Sequence, residues 1–181
     1  INKTVILGES NLKAGILGVI QDITDLKKKE LELKKMIMAV EHSPSSIIIT
    51  DTTGKIEYVN PKFTELTGYS NDEIYGQNPR LLKSGEQSED FYKNMWQTIS
   101  RGEVWHGDFH NKKKNGESYW ERASISSVKN DKSEIYKYIA IKEDITENKL
   151  AEETLKISEE TLRKRNYIIE KDLQIARIAQ K

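Results

Sequence analysis

Apolar residues recur along this chain with two different periods. Between residues 42 and 146 they fall in short runs of period two, interrupted by brief helical patches; on both sides of that stretch they fall seven apart among lysine and glutamate. In the central stretch, 46–50 and 55–59 are β-rich runs separated by the turn sequence Asp51-Thr52-Thr53-Gly54. Residues 60–68 predict a short helix. Asn60 suits its cap, Pro61 its first turn and Gly68 its end, and Phe63 and Leu66 share an apolar face. Residues 71–75 and the region of Pro79 predict further short helical pieces. Residues 88–100 predict a longer helix, with Phe91, Tyr92, Met95, Trp96 and Ile99 clustered at helical spacing. Three long strands follow, the first two joined by Asn115-Gly116, a strong hairpin signal. The expected order is β-β-α-α-α-α-β-β-β: an α+β domain whose antiparallel sheet carries helices on one face.

Alternation along the strands assigns their faces. In 104–112, Trp105, Gly107, Phe109 and Asn111 point inward, while Val104, His106, Asp108, His110 and Lys112 point out. Gly107 leaves room there for a ligand or a close helix. Asn111 is polar on an apolar face, so burial would require a partner: a ligand, a backbone group or water at the sheet margin. In the next strand Tyr119, Glu121, Ala123 and Ile125 share the inward face, opposite Trp120, Arg122 and Ser124. In the last strand Ile135, Ile139 and Ile141 are assigned inward, and Tyr136, Tyr138 and Ala140 outward. Trp120, Tyr136 and Tyr138 then form an outer aromatic patch too large to leave bare. Residues 28–41 of the same chain or a second subunit are expected to cover it.

The flanks read as helices with narrow seams. Leu26, Leu33 and Val40 are seven apart, with Met36 and Ile37 between them; Leu155, Leu162, Ile169 and Ala176 repeat the interval. Ser158, Arg165 and Asp172 weaken the second seam, which suits either a plain linker or a coiled coil whose register can shift. An internal repeat accompanies them. Gly18 to Asp25 resembles Ile139 to Glu147, and Asp22-Ile23-Thr24 matches Asp144-Ile145-Thr146 at an offset of 144 − 22 = 122 residues. The expected organisation is therefore 1–25 as the last hairpin of a preceding domain of the same type, 26–41 as linker helix, 42–146 as one complete domain, and 147–181 as a helix leading onward. Ile1-Asn2-Lys3 reads like the middle of a strand, as in a chain cut from a longer polypeptide.

Composition narrows the chemistry. With 29 basic and 29 acidic residues the formal charge is zero, which gives no general attraction to nucleic acid or an anionic membrane. Cysteine is absent, which removes disulfides, thiolate catalysis and Cys-based metal sites. No apolar run approaches the roughly 20 residues of a membrane span, and no secretory signal is visible, so a cytoplasmic location is expected. No phosphate-binding glycine loop and no helical His/carboxylate metal pattern occurs. His106 and His110 lie four apart on a strand, roughly 13 Å from each other. The Lys112–Lys114 run reads as a solvated hairpin loop, and no catalytic constellation emerges.

In combination, several stretches resemble the PAS (PAS/PAC) sensor family of bacterial signal-transduction proteins. They are residues 41–51, Tyr58-Val59-Asn60-Pro61 with Thr67-Gly68-Tyr69, Gly76-Gln77-Asn78-Pro79-Arg80, Trp105-His106-Gly107, residues 111–116 and Asp144-Ile145-Thr146. The resemblance implies a five-stranded antiparallel sheet, a pocket between sheet and helices, and dimers joined by signalling helices. Its pocket would draw on Phe63, Trp96, Trp105, Phe109, Asn111, Tyr119 and Ile139. Light-sensing members carry Asn-Cys-Arg where this chain has Asn78-Pro79-Arg80, so a flavin–cysteine adduct is excluded. Haem members need an axial histidine near the pocket; His42 precedes the first strand and His106 and His110 point outward, which disfavours haem. Redox flavoprotein members are similar at Trp105, Gly107, Asn111 and Tyr119, where Trp105 would pack on an isoalloxazine and Asn111 bond its polar edge. An unidentified small molecule and an empty, packed core are the other readings.

The expected function is a non-catalytic sensor that passes its signal through a dimeric helix to a linked output domain. Asp144 suits the cap of the trailing helix, with Glu147 three residues on as a capping box. Asp144, Ile145, Thr146, Asp22 and Thr24 are the expected transmission residues. The homodimer would form through the flanking helices and the outer face at Trp120, Tyr136 and Tyr138. Residues 170–181 resemble the helix entering PPM-type serine phosphatase domains; histidine kinases of two-component systems and diguanylate cyclases are the alternatives, and a ligand-free spacer is a third reading.

Overall fold

The computed structural model describes residues 23–179. The chain divides into two units between His42 and Ser43, and the described part of the first is helix α1, Thr24–Glu41. The second unit runs β1 (Ser46–Asp51), β2 (Ile56–Val59), α2 (Pro61–Thr67), α3 (Asn71–Ile74), a 3₁₀ turn (Pro79–Leu82), α4 (Glu89–Ser100), β3 (Trp105–Lys112), β4 (Ser118–Lys129), β5 (Ile135–Asp144) and α5 (Thr146–Ala179). The strands form one antiparallel sheet in the order β2-β1-β5-β4-β3. The last strand thus lies at the centre of the sheet and runs straight into the long helix.

Local chemistry explains most boundaries. Asn60 is fully buried and works on three backbone groups. Its Oδ1 accepts the N–H of Phe63 (3.2 Å), capping α2, and the N–H of Ile47 (2.8 Å), while Nδ2 donates to the Ser45 carbonyl (2.9 Å). Pro61 occupies the first turn of α2, and Gly68 ends it with φ 76° in the left-handed region. Helix α4 is held on β3 by aromatic packing: the Phe91 ring meets Trp105 and Phe109 edge-on, each at 5.2 Å between centroids. Trp105 and Phe109 are buried, as their inward assignment requires.

The room at Gly107 is already taken. A Cβ there would lie 2.3 Å from the Trp105 ring, which folds back across the glycine and donates its Nε1–H to Asn94 Oδ1 (3.0 Å) on α4. Glycine is needed for the indole of its own strand rather than for a ligand.

The faces of β5 differ from the sequence expectation. Tyr138, Ala140 and Lys142 are buried, Ile139 is half-buried, and Ile141 is about half exposed. Ile47 lies opposite Ile141 and Ile49 opposite Ile139, so these four isoleucines share the outer face. Ile135 still packs against the core, because the β4–β5 register shifts between Val128 and Lys129. Lys142 can lie on the inward face because it finds an acid there, a partner that a ranking by hydrophobicity does not see.

At the end of β5, Ile145 rather than Asp144 takes the capping position of α5, its carbonyl accepting the Lys149 N–H (3.0 Å). Asp144 still pairs with Glu121 in the sheet, and its carboxylate reaches forward to the Thr146 N–H (2.9 Å) and hydroxyl (2.5 Å). Helix α1 starts the same way, with Ile23 at the cap and the Lys27 N–H on its carbonyl (2.9 Å). Of the hairpin expected at 1–25, residues 1–22, Asp22 among them, lie outside the described residues, and Thr24 and Asp25 already belong to α1. Both long helices leave their seams exposed, including Leu26, Leu33 and Met36 on α1 and Leu155, Leu162 and Ile169 on α5.

Candidate ligand cavity and helix junction

A cavity of about 510 Å³ lies between α4, the 3₁₀ turn and the inner face of the sheet. Trp96 from α4 and Tyr138 from β5 meet edge to face at 5.7 Å along its wall, and Phe109 and Ile48 supply further apolar surface. Gly54, at φ 84°, lets the β1–β2 turn close against Asn78 and Trp96; a Cβ there would sit 2.7 Å from Asn78 Nδ2.

At the cavity wall four polar side chains are buried together, Asn111 and Lys142 lining the cavity and Tyr119 and Glu121 behind them, each no more than 5% exposed. Asn111 Nδ2 donates to Glu121 Oε1 (2.8 Å), Tyr119 Oη donates to Oε2 (3.2 Å), and Lys142 forms a direct ion pair with Oε1. The Lys142 ammonium also lies 4.8 Å from the centre of the Phe109 ring. Burial, and then the charge of Glu121, push the Tyr119 hydroxyl well above the ordinary tyrosine range, so it stays a donor. Asn111 thus finds a side-chain acid rather than the ligand, backbone group or water expected for it. Glu121 was legible as an acid on an inward face; such an acid calls for a base on a neighbouring strand, and that signal leads to Lys142.

Of the expected pocket residues, Trp96, Phe109 and Asn111 line the cavity. Phe63, Trp105 and Tyr119 are buried in the core outside its lining, and Ile139 belongs to the opposite face of the sheet. Tyr138, assigned to the outer patch, is a cavity wall instead. Lining residues absent from the sequence expectation include Tyr92, Lys83 and Lys142.

The outer patch is also rearranged. Trp120 is only part-exposed: the His110 ring stacks on it at 4.5 Å and Lys149 Nζ lies 5.5 Å from its ring centre. Its cover comes from β3 and the first turn of α5. Tyr136 remains exposed near the β4–β5 turn.

Beneath Trp120 the sheet is tied to α5. The Ile145 N–H donates to the Trp120 carbonyl (2.9 Å), and the Trp120 N–H donates to Thr146 Oγ1 (3.0 Å). Asp108 on β3 adds a bridge to Lys149 (3.2 Å) and holds Arg122 through two contacts (2.9 and 3.2 Å). The Arg122 hydrogen bonds, ahead of Lys149, hold the Asp108 carboxyl below its ordinary range. Ile145, Thr146 and Asp144 thus meet β4 at one point; Thr24 sits at the equivalent helix start of α1.

Residues 44–147 match the family model described as "PAS domain". The chain belongs to the PAS domain family. Its PAS domain is 35% identical over 117 residues to a nitrogen fixation regulatory protein of Klebsiella oxytoca, covering 65% of this chain and 24% of that protein. It is 31% identical over 139 residues to hybrid signal transduction histidine kinase L of Dictyostelium discoideum, covering 76% of this chain and 8% of that one. The chain therefore spans about a quarter or less of the length of these curated relatives. An RNA-binding light-oxygen-voltage receptor has the same fold, with a TM-score of 0.66 at 24% identity over 76% of this chain and 40% of that one. The PAS domain is thus of a kind found in signal-transduction and regulatory proteins, where it serves as the sensory part. No described helix is long and apolar enough to cross a membrane.

Proposed function

We propose that the PAS domain of this chain senses a small molecule in its cavity and passes occupancy through β5 to α5. The carrying observation is continuity. Lys142 and Tyr138 on β5 line the cavity, and two residues after Lys142 the strand reaches Asp144, whose carboxylate holds Thr146; Ile145 and Thr146 in turn bind the Trp120 backbone at the start of α5. A shift of β5 against β4 cannot leave the helix start where it was, because both Trp120 backbone bonds end on its first residues.

The apolar seams of α1 and α5 support a homodimer in which these helices pair as coiled coils, and Ile47, Ile49, Ile139 and Ile141 offer a second apolar face for it. Residues 1–25 are assigned to the end of a preceding PAS domain, on the shared Asp-Ile-Thr junction. The linked output domain is proposed to be a PPM-type serine phosphatase, on the resemblance of residues 170–181. A histidine kinase is the second reading, favoured by the named kinase relative. The chain itself is assigned a sensory, non-catalytic role in the cytoplasm.

Flavin is one candidate occupant. Asn111 lines the cavity and could bond its polar edge, but Trp105 is packed beneath the helix and cannot stack on it. The absorbance spectrum and native mass of the purified chain identify any bound molecule. Spin labels at Ser158 of α5 then test transmission, with Ala140→Phe filling the cavity in place of a ligand. Their separation in the dimer is expected to change; an identical distance distribution contradicts the reading.

A further inference from the structure

Among the described residues three basic side chains line the cavity, Arg80, Lys83 and Lys142, and no aspartate or glutamate does. The acid that neutralises Lys142 stands behind it. Glu121 already receives Asn111, Tyr119 and Lys142, so its carboxylate is supplied with donors. Lys142 is in the opposite condition. An ammonium carries three donors, and among the described residues Glu121 is its hydrogen-bond acceptor, with the Phe109 ring on another side. Lys142 is only 5% exposed and lines the cavity, so an occupant there is the acceptor within reach of its remaining donor capacity. Walls of one sign of charge in an apolar surrounding focus their field on whatever enters.

We infer that the cavity takes an organic carboxylate: a compact aromatic or aliphatic body against Trp96, Tyr138 and Ile48, with its acid group on Lys142. Arg80 and Lys83 supply the attraction nearer solvent, both being exposed. The inference rests on the reading that the cavity binds a ligand, and it adds the ligand's class. A neutral molecule of the same shape would leave the ammonium donors unmet, whereas a carboxylate forms charge-assisted bonds with them.

The test is calorimetric titration of the whole chain with phenylacetate, 4-phenylbutyrate, indole-3-acetate and decanoate, each against its primary amide. At least one acid is expected to bind about tenfold or more tightly than its amide, the size of one charge-assisted bond. In the paired variant Glu121→Gln/Lys142→Met the advantage should shrink to about threefold or less while amide affinity holds, and Lys142→Arg should keep it. Equal binding of acid and amide, no binding of any acid at millimolar concentration, or an undiminished preference in the paired variant overturns the carboxylate assignment. Sensing is judged separately, by the α5 label distance: an acid that binds without moving it leaves the ligand class standing and removes the sensor reading. A neutral molecule that moves it, with no acid bound, does the reverse.

Discussion

The two faces of the sheet invert the usual distribution of polarity. The inner face of β3, β4 and β5 buries Asn111, Glu121 and Lys142, while the outer face of β1 and β5 leaves Ile47, Ile49, Ile139 and Ile141 wholly or partly open. Burial of polar groups is costly unless each finds a partner, and here each has one. The outer isoleucines have no such need; in one copy of the chain Ile47, Ile49 and Ile139 are half-buried and Ile141 is about half exposed. The inward side of β5 carries Tyr138 and Ala140 beside Lys142, and the lysine is accommodated there because Glu121 on the neighbouring strand pairs with it. The inner face is built around a fixed charge pair beside a cavity, and the outer face around the helix start.

The sharpest break of this contrast is to unpair the inner charges. Glu121→Ala or Lys142→Met alone should cost about 3–5 kcal/mol, because each strands a buried partner. The paired Glu121→Gln/Lys142→Met variant should lie within about 2 kcal/mol of wild type, since both charges leave together. Denaturant unfolding of the three variants measures this; single substitutions as mild as the pair would mean that the site is wet.

Next in size is Gly107→Ala. The added Cβ meets the Trp105 ring and should cost about 1–3 kcal/mol, with a change in tryptophan emission as the indole leaves Asn94. A neutral result would show that the ring is free to move away.

On the outer face, Thr146→Val removes the acceptor for the Trp120 N–H and the hydroxyl that donates to Asp144. A loss of about 1 kcal/mol is expected, with faster hydrogen exchange at the Trp120 amide. Slow exchange retained there would detach α5 from β4.

The smallest effect is a pH dependence far from both faces. Lys114 first, and then Ser70, hold the Glu73 carboxyl down at about 2, from an ordinary 4.5. A depressed carboxylate stabilises the fold above its unfolded value and loses that contribution as pH falls from about 4.5 towards 2. Glu73→Gln should flatten that part of the acid limb in thermal melts taken across this range.

Most of the fold was legible because its signals are local. Asn60-Pro61, Gly68 and Asn115-Gly116 punctuate the chain wherever the structure turns, and alternation assigned β3 and β4 correctly. What escaped was set by neighbours distant in sequence. Lys142 and Glu121 are 21 residues apart and meet only through the β4–β5 register. Three isoleucines in β5 outweighed one lysine in the sequence reading, which misplaced Ile139 and Tyr138. Trp105 turns inward as alternation requires but lies outside the cavity lining, and nothing local shows that Gly107 receives its ring. Trp96, Phe109 and Asn111 reached the cavity lining because helical spacing and strand alternation suffice to place them.

Native-state hydrogen exchange tests most directly whether the cavity floor and α5 are one connected body. In Glu121→Gln/Lys142→Met, the amides of Trp120, Ile145 and Lys149 should exchange faster, while Ile47 and Phe63, held by Asn60, stay unchanged. Junction amides indifferent to the loss of the charge pair, or a uniform change across both groups, would contradict the account.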